Sequence, residues 1–365
     1  MSTDERTISN EVNIQEIVDI PIGGKKNVIL DATVLSTLMS CPRLTDFRFN
    51  HNLQAIGGKS NSLETGSIVH KFLEVYYGSI IKGVNRADAV GFGMAAASLY
   101  IQGCKDCTEF EPIRCPNCGG TGIDNEGVSE FIAGPCKTCN ETGKITKPKC
   151  NHKPNDYPGV INTPKDSDSH HVGWQWALDT CQMYVDHYRN DHWIPLETEV
   201  VKAKVLYEDD EVRVMWKAKL DWVVDTNQGI YPVDHKTMKQ NRKTTTLNNQ
   251  FIGQCLMMST RNMFINKIGF QTSLKPAEKF IRETKSYSSA RLFEWQSEIL
   301  PYYAKLLIMY AESGYFPPNY SHCESKYGLC AFANEVCSSD PDMREETIKL
   351  HFKVGPEWNP TNDDE

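Results

Sequence analysis

The sequence contains no apolar run near the roughly 20 residues that a membrane-spanning helix needs. It also lacks a basic-then-apolar leader, since it opens Met1-Ser2-Thr3-Asp4-Glu5-Arg6. We therefore expect a soluble, cytoplasmic chain with no membrane partner. An excess of positive charge is missing too. Lys and Arg number 39 against 47 Asp and Glu, for a net charge of −8. That argues against a general polyanion-coating protein, although a local basic groove needs only local placement of cations. With 40% apolar and 24% charged residues, the composition excludes a disordered chain, a collagen-like fibre and a coiled-coil rod. A length of 365 residues suits about two domains, or one domain with a large insertion.

Cysteine, by contrast, is abundant, with 13 residues. Without an export signal, metal or cluster ligation is a better reading than disulfides. Seven cysteines crowd into 104–150, three recur at Cys323, Cys330 and Cys337, and Cys41 stands alone.

Residues 1–27 read as a flexible leader ending in Pro21-Ile22-Gly23-Gly24. Residues 28–102 read as helical. A short helix is expected over 31–50, a stronger one over 63–82 and a third over 87–101. From 103 to 170 apolar periodicity gives way to Gly, Pro, Cys, Lys, Asn and Asp, the mark of an insertion held by something other than a core. Residues 171–340 resume a mixed pattern: a helix over 174–188, strands over 196–207, 211–225 and 229–235, a helix over 245–263, a strand over 265–272 and a helix over 288–313. Residues 341–365 form a tail that frays after Trp358.

The central signal is the hairpin expected around Thr226-Asn227-Gln228-Gly229. Its second strand alternates so that Asp234 and Lys236 share a face, and a tight turn can bring Asp221 beside Asp234. Adjacent carboxylates repel and suit Mg²⁺ or Mn²⁺ between them. A lysine two residues from such a carboxylate can orient water or neutralise charge on a phosphate. Upstream, Gly66 and His70 lie one turn apart on a helix, and downstream Gln250 opens another. Glu197 and Glu199 each offer a further carboxylate, and the sequence does not choose between them. Lys239, Arg242 and Lys243 make a basic run just after the hairpin's second strand, suited to phosphates beside a metal site.

In the order Gly-x-x-x-His, Asp, Asp-x-Lys and Gln, the sequence resembles the PD-(D/E)XK nucleases of the RecB and CRISPR-adaptation-exonuclease type, including phage relatives. The resemblance covers roughly 28–100 and 172–340. It implies an α/β restriction-endonuclease-like core, with a central mixed sheet flanked by helices. It implies metal binding by His70, Asp221, Asp234 and the His235 carbonyl, with Lys236 as catalytic lysine and Gln250 in support. The family often has Tyr four residues after the glutamine, where this chain has Gln254.

Cys41, Cys323, Cys330 and Cys337 could bind Zn²⁺ or a [4Fe-4S] cluster by their thiolates alone. The same resemblance implies the cluster, because its iron–sulfur members place one cysteine before the core and three after. Within the insertion, Cys115-x2-Cys118 and Cys136-x2-Cys139 are separated by 17 residues, a structural-zinc spacing. Each half resembles the zinc knuckle of the DnaJ chaperone, which implies a zinc ribbon. Cys104, Cys107, Cys150 and His152 would make a second zinc site of Cys₃His type.

The expectation is thus a metal-dependent DNA exonuclease, acting on single-stranded or duplex ends in a bacterial or phage-infected cell, in DNA recombination or repair. Its partners would be DNA and a helicase or recombination protein. A rival reading is a non-catalytic DNA-binding or assembly module whose zinc insertion docks a partner. A third makes the cluster an electron carrier.

Overall fold

The computed structural model describes residues 18–19, 24–56, 61–101, 110–115, 123–124, 134–135, 144–148, 168–238, 244–270, 275–325 and 328–355. Strands β1 (Val18–Asp19) and β2 (Lys26–Leu30) pair antiparallel. The sheet therefore reaches into the expected leader through β1 and the start of β2, and just beyond it Val28 and Leu30 are fully buried. Asp31 caps helix α1 (Ala32–Ser40), accepting from Val34 N at 2.7 Å. The helix expected over 31–50 breaks at Cys41, which is extended (φ −159°). The physical reason is Pro42, whose ring disfavours a helical residue before it. Pro42 then opens α2 (Pro42–Thr45), which passes through one π-helical turn to β3 (Leu53–Ala55).

Helices α3 (Asn61–Ile81) and α4 (Arg86–Ile101) follow. In the insertion, β4 (Phe110–Arg114) pairs with β7 (Lys144–Pro148), and nested between them β5 (Ile123–Asp124) pairs with β6 (Gly134–Pro135). Helix α5 (Asp168–His187) leads to β8 (Ile194–Glu208), β9 (Val212–Asp225) and β10 (Ile230–Met238). Next come α6 (Asn249–Met257), β11 (Asn262–Gly269), α7 (Pro276–Lys279) and β12 (Phe280–Ser286). Helix α8 (Ser289–Glu294) runs through a π-helical turn into α9 (Leu300–Ser313), ended by Gly314 at φ +65°. Short strands β13 (Glu324–Ser325) and β14 (Gly328–Leu329) pair together. The expected tail instead holds α10 (Arg344–His351) and β15 (Phe352–Val354), because β15 pairs with β3 and buries Phe352.

The main sheet has the order β1-β2-β9-β10-β11-β12, with β8 paired to β9. It is mixed: β2 with β9 and β10 with β11 are parallel, the rest antiparallel. This is an α/β chain whose sheet is flanked by helices. Strand β11 shows the two faces, since alternate side chains point oppositely. Met263 and Ile265 join a core with Trp216, Phe251 and Trp295, under α6 and α9. Ile268 joins a core with Phe72, Tyr184 and Trp222, under α3 and α5. A third, smaller core of Phe47, Phe332 and Phe352 ties the two ends of the described chain together. No helix among the described residues is long and apolar enough to cross a membrane.

Candidate active site

The hairpin turn closes with Thr226 N donating to Gly229 O at 3.1 Å. From there the ladder runs Ile230 opposite Asp225 to Val233 opposite Trp222. The next residues on the two strands are Asp234 and Asp221. On the other edge of β9, Thr198 pairs with Trp222 and Val200 with Leu220, which brackets Glu199 opposite Asp221. Three carboxylates thus stand abreast on β8, β9 and β10. Glu199 has φ +48°, the left-handed region. Holding a non-glycine residue there costs on the order of 1–3 kcal/mol, and such strain is found at functional sites.

Helix α3 brings His70 over this row, with Nδ1 3.9 Å from Asp221 Oδ2. Its close approach depends on Gly66, where a Cβ would stand 2.8 Å from Thr237 Oγ1. His70, Glu199 and Asp221 offer ligand atoms all within 4.8 Å of one another, the one such group of three among the described residues.

Asp234 is completely buried. Gln250 Nε2 donates to its Oδ1 at 2.7 Å, and Lys236 Nζ lies 2.9 Å from its Oδ2. Lys236 also donates to Gln250 Oε1 at 3.2 Å, closing a triangle. Gln250 is fixed on the first turn of α6 because Asn248 caps that helix, accepting from Gln250 N at 2.8 Å.

Burial raises the pKa of Asp234, and the Asp221 charge adds to this against the pull of Lys236. For Asp221, burial is outweighed by His70, His235, Lys236 and the His235 N–H, which donates to its Oδ2 at 2.7 Å, so its pKa is lowered. Burial and the Asp221 charge push Glu199 up to about 8, although Lys219 lies 3.0 Å away. Burial opposes the Lys236 charge, but Asp234 and Asp221 outweigh it and raise the lysine pKa. These are crowded acids on which a divalent cation would relieve repulsion.

The His235 ring meets the His70 ring edge-on, with centroids 5.8 Å apart, and joins a buried polar chain. Asn266 Nδ2 lies 2.9 Å from His235 Nδ1 and donates to Tyr184 OH at 2.9 Å, and Tyr184 OH meets Tyr77 OH at 2.7 Å. Burial lowers the His235 pKa to about 3. The ring stacks on Trp222 and braces the strand.

The structure therefore brings together His70, Asp221, Asp234, Lys236 and Gln250. It also separates the two glutamates left open by the sequence: Glu199 joins the cluster, whereas Glu197 pairs with Lys202 at 2.6 Å. Lys239, Arg242 and Lys243 lie outside the described residues, as do Cys104, Cys107, Cys118, Cys136, Cys139, Cys150 and His152. Cys115 is described and fully buried.

Cys41, Cys323, Cys330 and Cys337 line one cavity. Asn319 N donates to Cys41 Sγ at 3.4 Å, and Cys330 N donates to Cys323 O at 2.7 Å. Burial raises the Cys323 and Cys337 pKa values, and the neighbouring thiols add to this. No three of these sulfurs fall within 4.8 Å of one another.

A larger open cavity, about 800 Å³, lies elsewhere, around Asp191 and Arg282. There Arg282 is held by Asp191 at 2.9 and 2.6 Å and sandwiched 3.9 Å from both the Tyr188 and Trp193 rings, so its fork is already engaged.

No protein-family model matches the chain, and no curated protein aligns with it significantly. Function has to be read from the geometry.

Proposed function

We propose that this chain is a metal-dependent nuclease that hydrolyses DNA phosphodiester bonds on a PD-(D/E)XK-type core. The observation that carries this reading is the meeting of His70, Glu199 and Asp221 within 4.8 Å, beside the triangle of Asp234, Lys236 and Gln250. An imidazole and hard carboxylate oxygens fit Mg²⁺ or Mn²⁺. His70, Glu199 and Asp221 would hold the ion, with Asp234 adjacent. Such an ion, when bound, polarises a phosphoryl oxygen and makes a coordinated water more acidic.

Lys236 keeps its proton between Asp234 and Asp221 and stabilises the negative charge that grows on the phosphate during attack. Gln250 fixes the amine and the buried carboxylate relative to each other. Glu199 and Asp221 orient the attacking water, whose proton passes to solvent as its oxygen bonds phosphorus, and the leaving oxygen takes a proton from solvent as its bond to phosphorus breaks. Action on single-stranded ends follows from the family resemblance alone.

The cysteine quartet would carry a [4Fe-4S] cluster that fastens the segment after Cys41 to the segment around Cys330. Zinc in the insertion rests on the spacing of Cys115, Cys118, Cys136 and Cys139.

The test is digestion of end-labelled single-stranded DNA, duplex DNA and RNA with Mg²⁺ or Mn²⁺, using wild type, Asp234→Ala and Lys236→Ala. Wild type should cleave DNA, and each variant should lose about a hundredfold or more. Equal activity in all three removes the site assignment. DNA affinity without cleavage under either metal favours a binding or assembly module.

A further inference from the structure

The cavity lined by Cys41, Cys323, Cys330 and Cys337 has two further side chains on its walls that can carry charge, Arg43 and His322. No carboxylate lines it. The four sulfurs are a donor set suited to Zn²⁺ or to an iron–sulfur cluster.

His322 is already engaged, since the Asn319 side-chain amide donates to its Nδ1 at 2.9 Å. Arg43 is half-buried, and its guanidinium makes no hydrogen bond or ion pair among the described residues. A guanidinium keeps its charge in proteins, and burying a charge without a partner is costly. The backbone nevertheless holds the residue there. Arg43 N donates to Pro317 O at 3.2 Å, and Leu44 N donates to Cys41 O at 3.0 Å. Arg43 and Cys41 therefore reach the cavity from one tight turn at the start of α2.

The Arg43 charge is felt by the thiols. Burial raises the Cys337 pKa, and Arg43 pulls it back. Asn319 N, which donates to Cys41 Sγ at 3.4 Å, presents a second positive pole to the sulfurs.

Metal loading makes this cavity anionic. Four thiolates around Zn²⁺, or around an oxidised [4Fe-4S] core of the same charge, leave the site doubly negative. That is the anion the unpaired guanidinium lacks. We propose that Arg43 is the counter-cation of the metal-loaded quartet, slowing metal loss and, with a cluster bound, raising its reduction potential. The second effect arises because reduction adds negative charge, which a neighbouring cation stabilises. This deepens the cluster reading of the quartet and rests on the four thiols holding metal.

The test uses anaerobically purified full-chain protein: wild type, Arg43→Gln, Arg43→Lys and Arg48→Gln, the last an exposed control outside the cavity. The metal missing from Cys337→Ser identifies the occupant of the quartet. Two quantities are followed: the rate of metal loss to excess chelator and, for iron, a potentiometric titration with dithionite. Arg43→Gln should lose metal about tenfold faster than wild type. At the wild-type midpoint its ratio of reduced to oxidised cluster should fall about tenfold, a shift of about 59 mV for one electron. Arg43→Lys keeps the charge and should stay close to wild type, and Arg48→Gln should match it. Equal behaviour of Arg43→Gln and wild type overturns the proposal, as does an Arg43→Lys that behaves like Arg43→Gln. Should Arg43→Gln not fold, Arg43→Lys decides: wild-type metal retention supports the charge, and rapid loss overturns it. Zinc as the occupant, lost faster from Arg43→Gln and retained by Arg43→Lys, keeps Arg43 in this role and overturns the cluster. A quartet without metal overturns both.

Discussion

Glu199 stands opposite Asp221 because Leu206 falls between two ladder pairs. Tyr207 faces Val214 and Val205 faces Met215, so β8 gains one residue on β9 there. Without that extra residue Val200 would stand opposite Asp221, and Glu199 would turn to the other sheet face. A single-residue bulge therefore decides that an acid joins His70.

Two conservative substitutions separate the neighbouring glutamates. Glu199→Gln should weaken Mn²⁺ binding about tenfold or more, measured by calorimetry or by Mn²⁺-induced rise in Tm. Glu197→Gln, which removes only the partner of Lys202 at the strand surface, should leave both readouts within about twofold.

The approach of α3 is open to a paired test. Gly66→Ala places a methyl 2.8 Å from Thr237 Oγ1. It should push His70 off the carboxylates and reduce cleavage. Adding Thr237→Ala removes the opposing oxygen and should restore most of the loss. Failure of the double variant to recover would show that crowding at this point does not position His70.

Gln250→Leu removes the amide that donates to fully buried Asp234. A buried acceptor left unpaired should cost about 1–3 kcal/mol in chemical denaturation. Cleavage should fall as well, because Lys236 loses its second anchor.

Glu283 sets an acid limit. Burial penalises its charge, but Lys267 and Lys285 outweigh that and hold its pKa at about 2, below the ordinary 4.5. A depressed carboxyl stabilises the fold fully above its unfolded value and loses that contribution as pH falls through the folded one. Glu283→Gln should therefore be much less stable than wild type at neutral pH. The gap should narrow as pH drops from about 4.5 towards 2, as followed by urea denaturation across that range. A constant gap would contradict the assignment.

The cysteine quartet predicts a brown protein containing iron. Cys337→Ser should lose both colour and iron, and Tm should fall with them, since that thiol packs beside the Phe47, Phe332 and Phe352 core. Zinc in place of iron at these four positions would contradict the cluster.

Much of the site was legible because its signals are local. Turn residues at Thr226–Gly229 mark the hairpin, strand alternation puts Asp234 and Lys236 together, and apolar spacing marks α3. What was hidden depends on distant partners. The face on which Glu199 emerges turns on Leu206, and no composition rule marks that bulge. Strand β12 carries Arg282, Glu283 and Lys285 and was not marked in the sequence; its place is set by partners outside it, Asp191 on Arg282 and Lys267 on Glu283. The helix expected over 288–313 contains a π-helical turn just before Pro301, where the ring removes a backbone donor. Strand β2, only five residues long, gains its place from pairing with β9.

The bond from Asn319 N to Cys41 Sγ spans 278 residues, and among the described residues β3 pairs with β15. During synthesis the ribosome must deliver nearly the whole described chain before Phe47 and Leu53 can be covered. Until then the emerging polypeptide carries an uncovered aromatic patch, a natural target for chaperones and for aggregation. If the proposed cluster binds the quartet, its insertion would act as the closing latch of cotranslational folding.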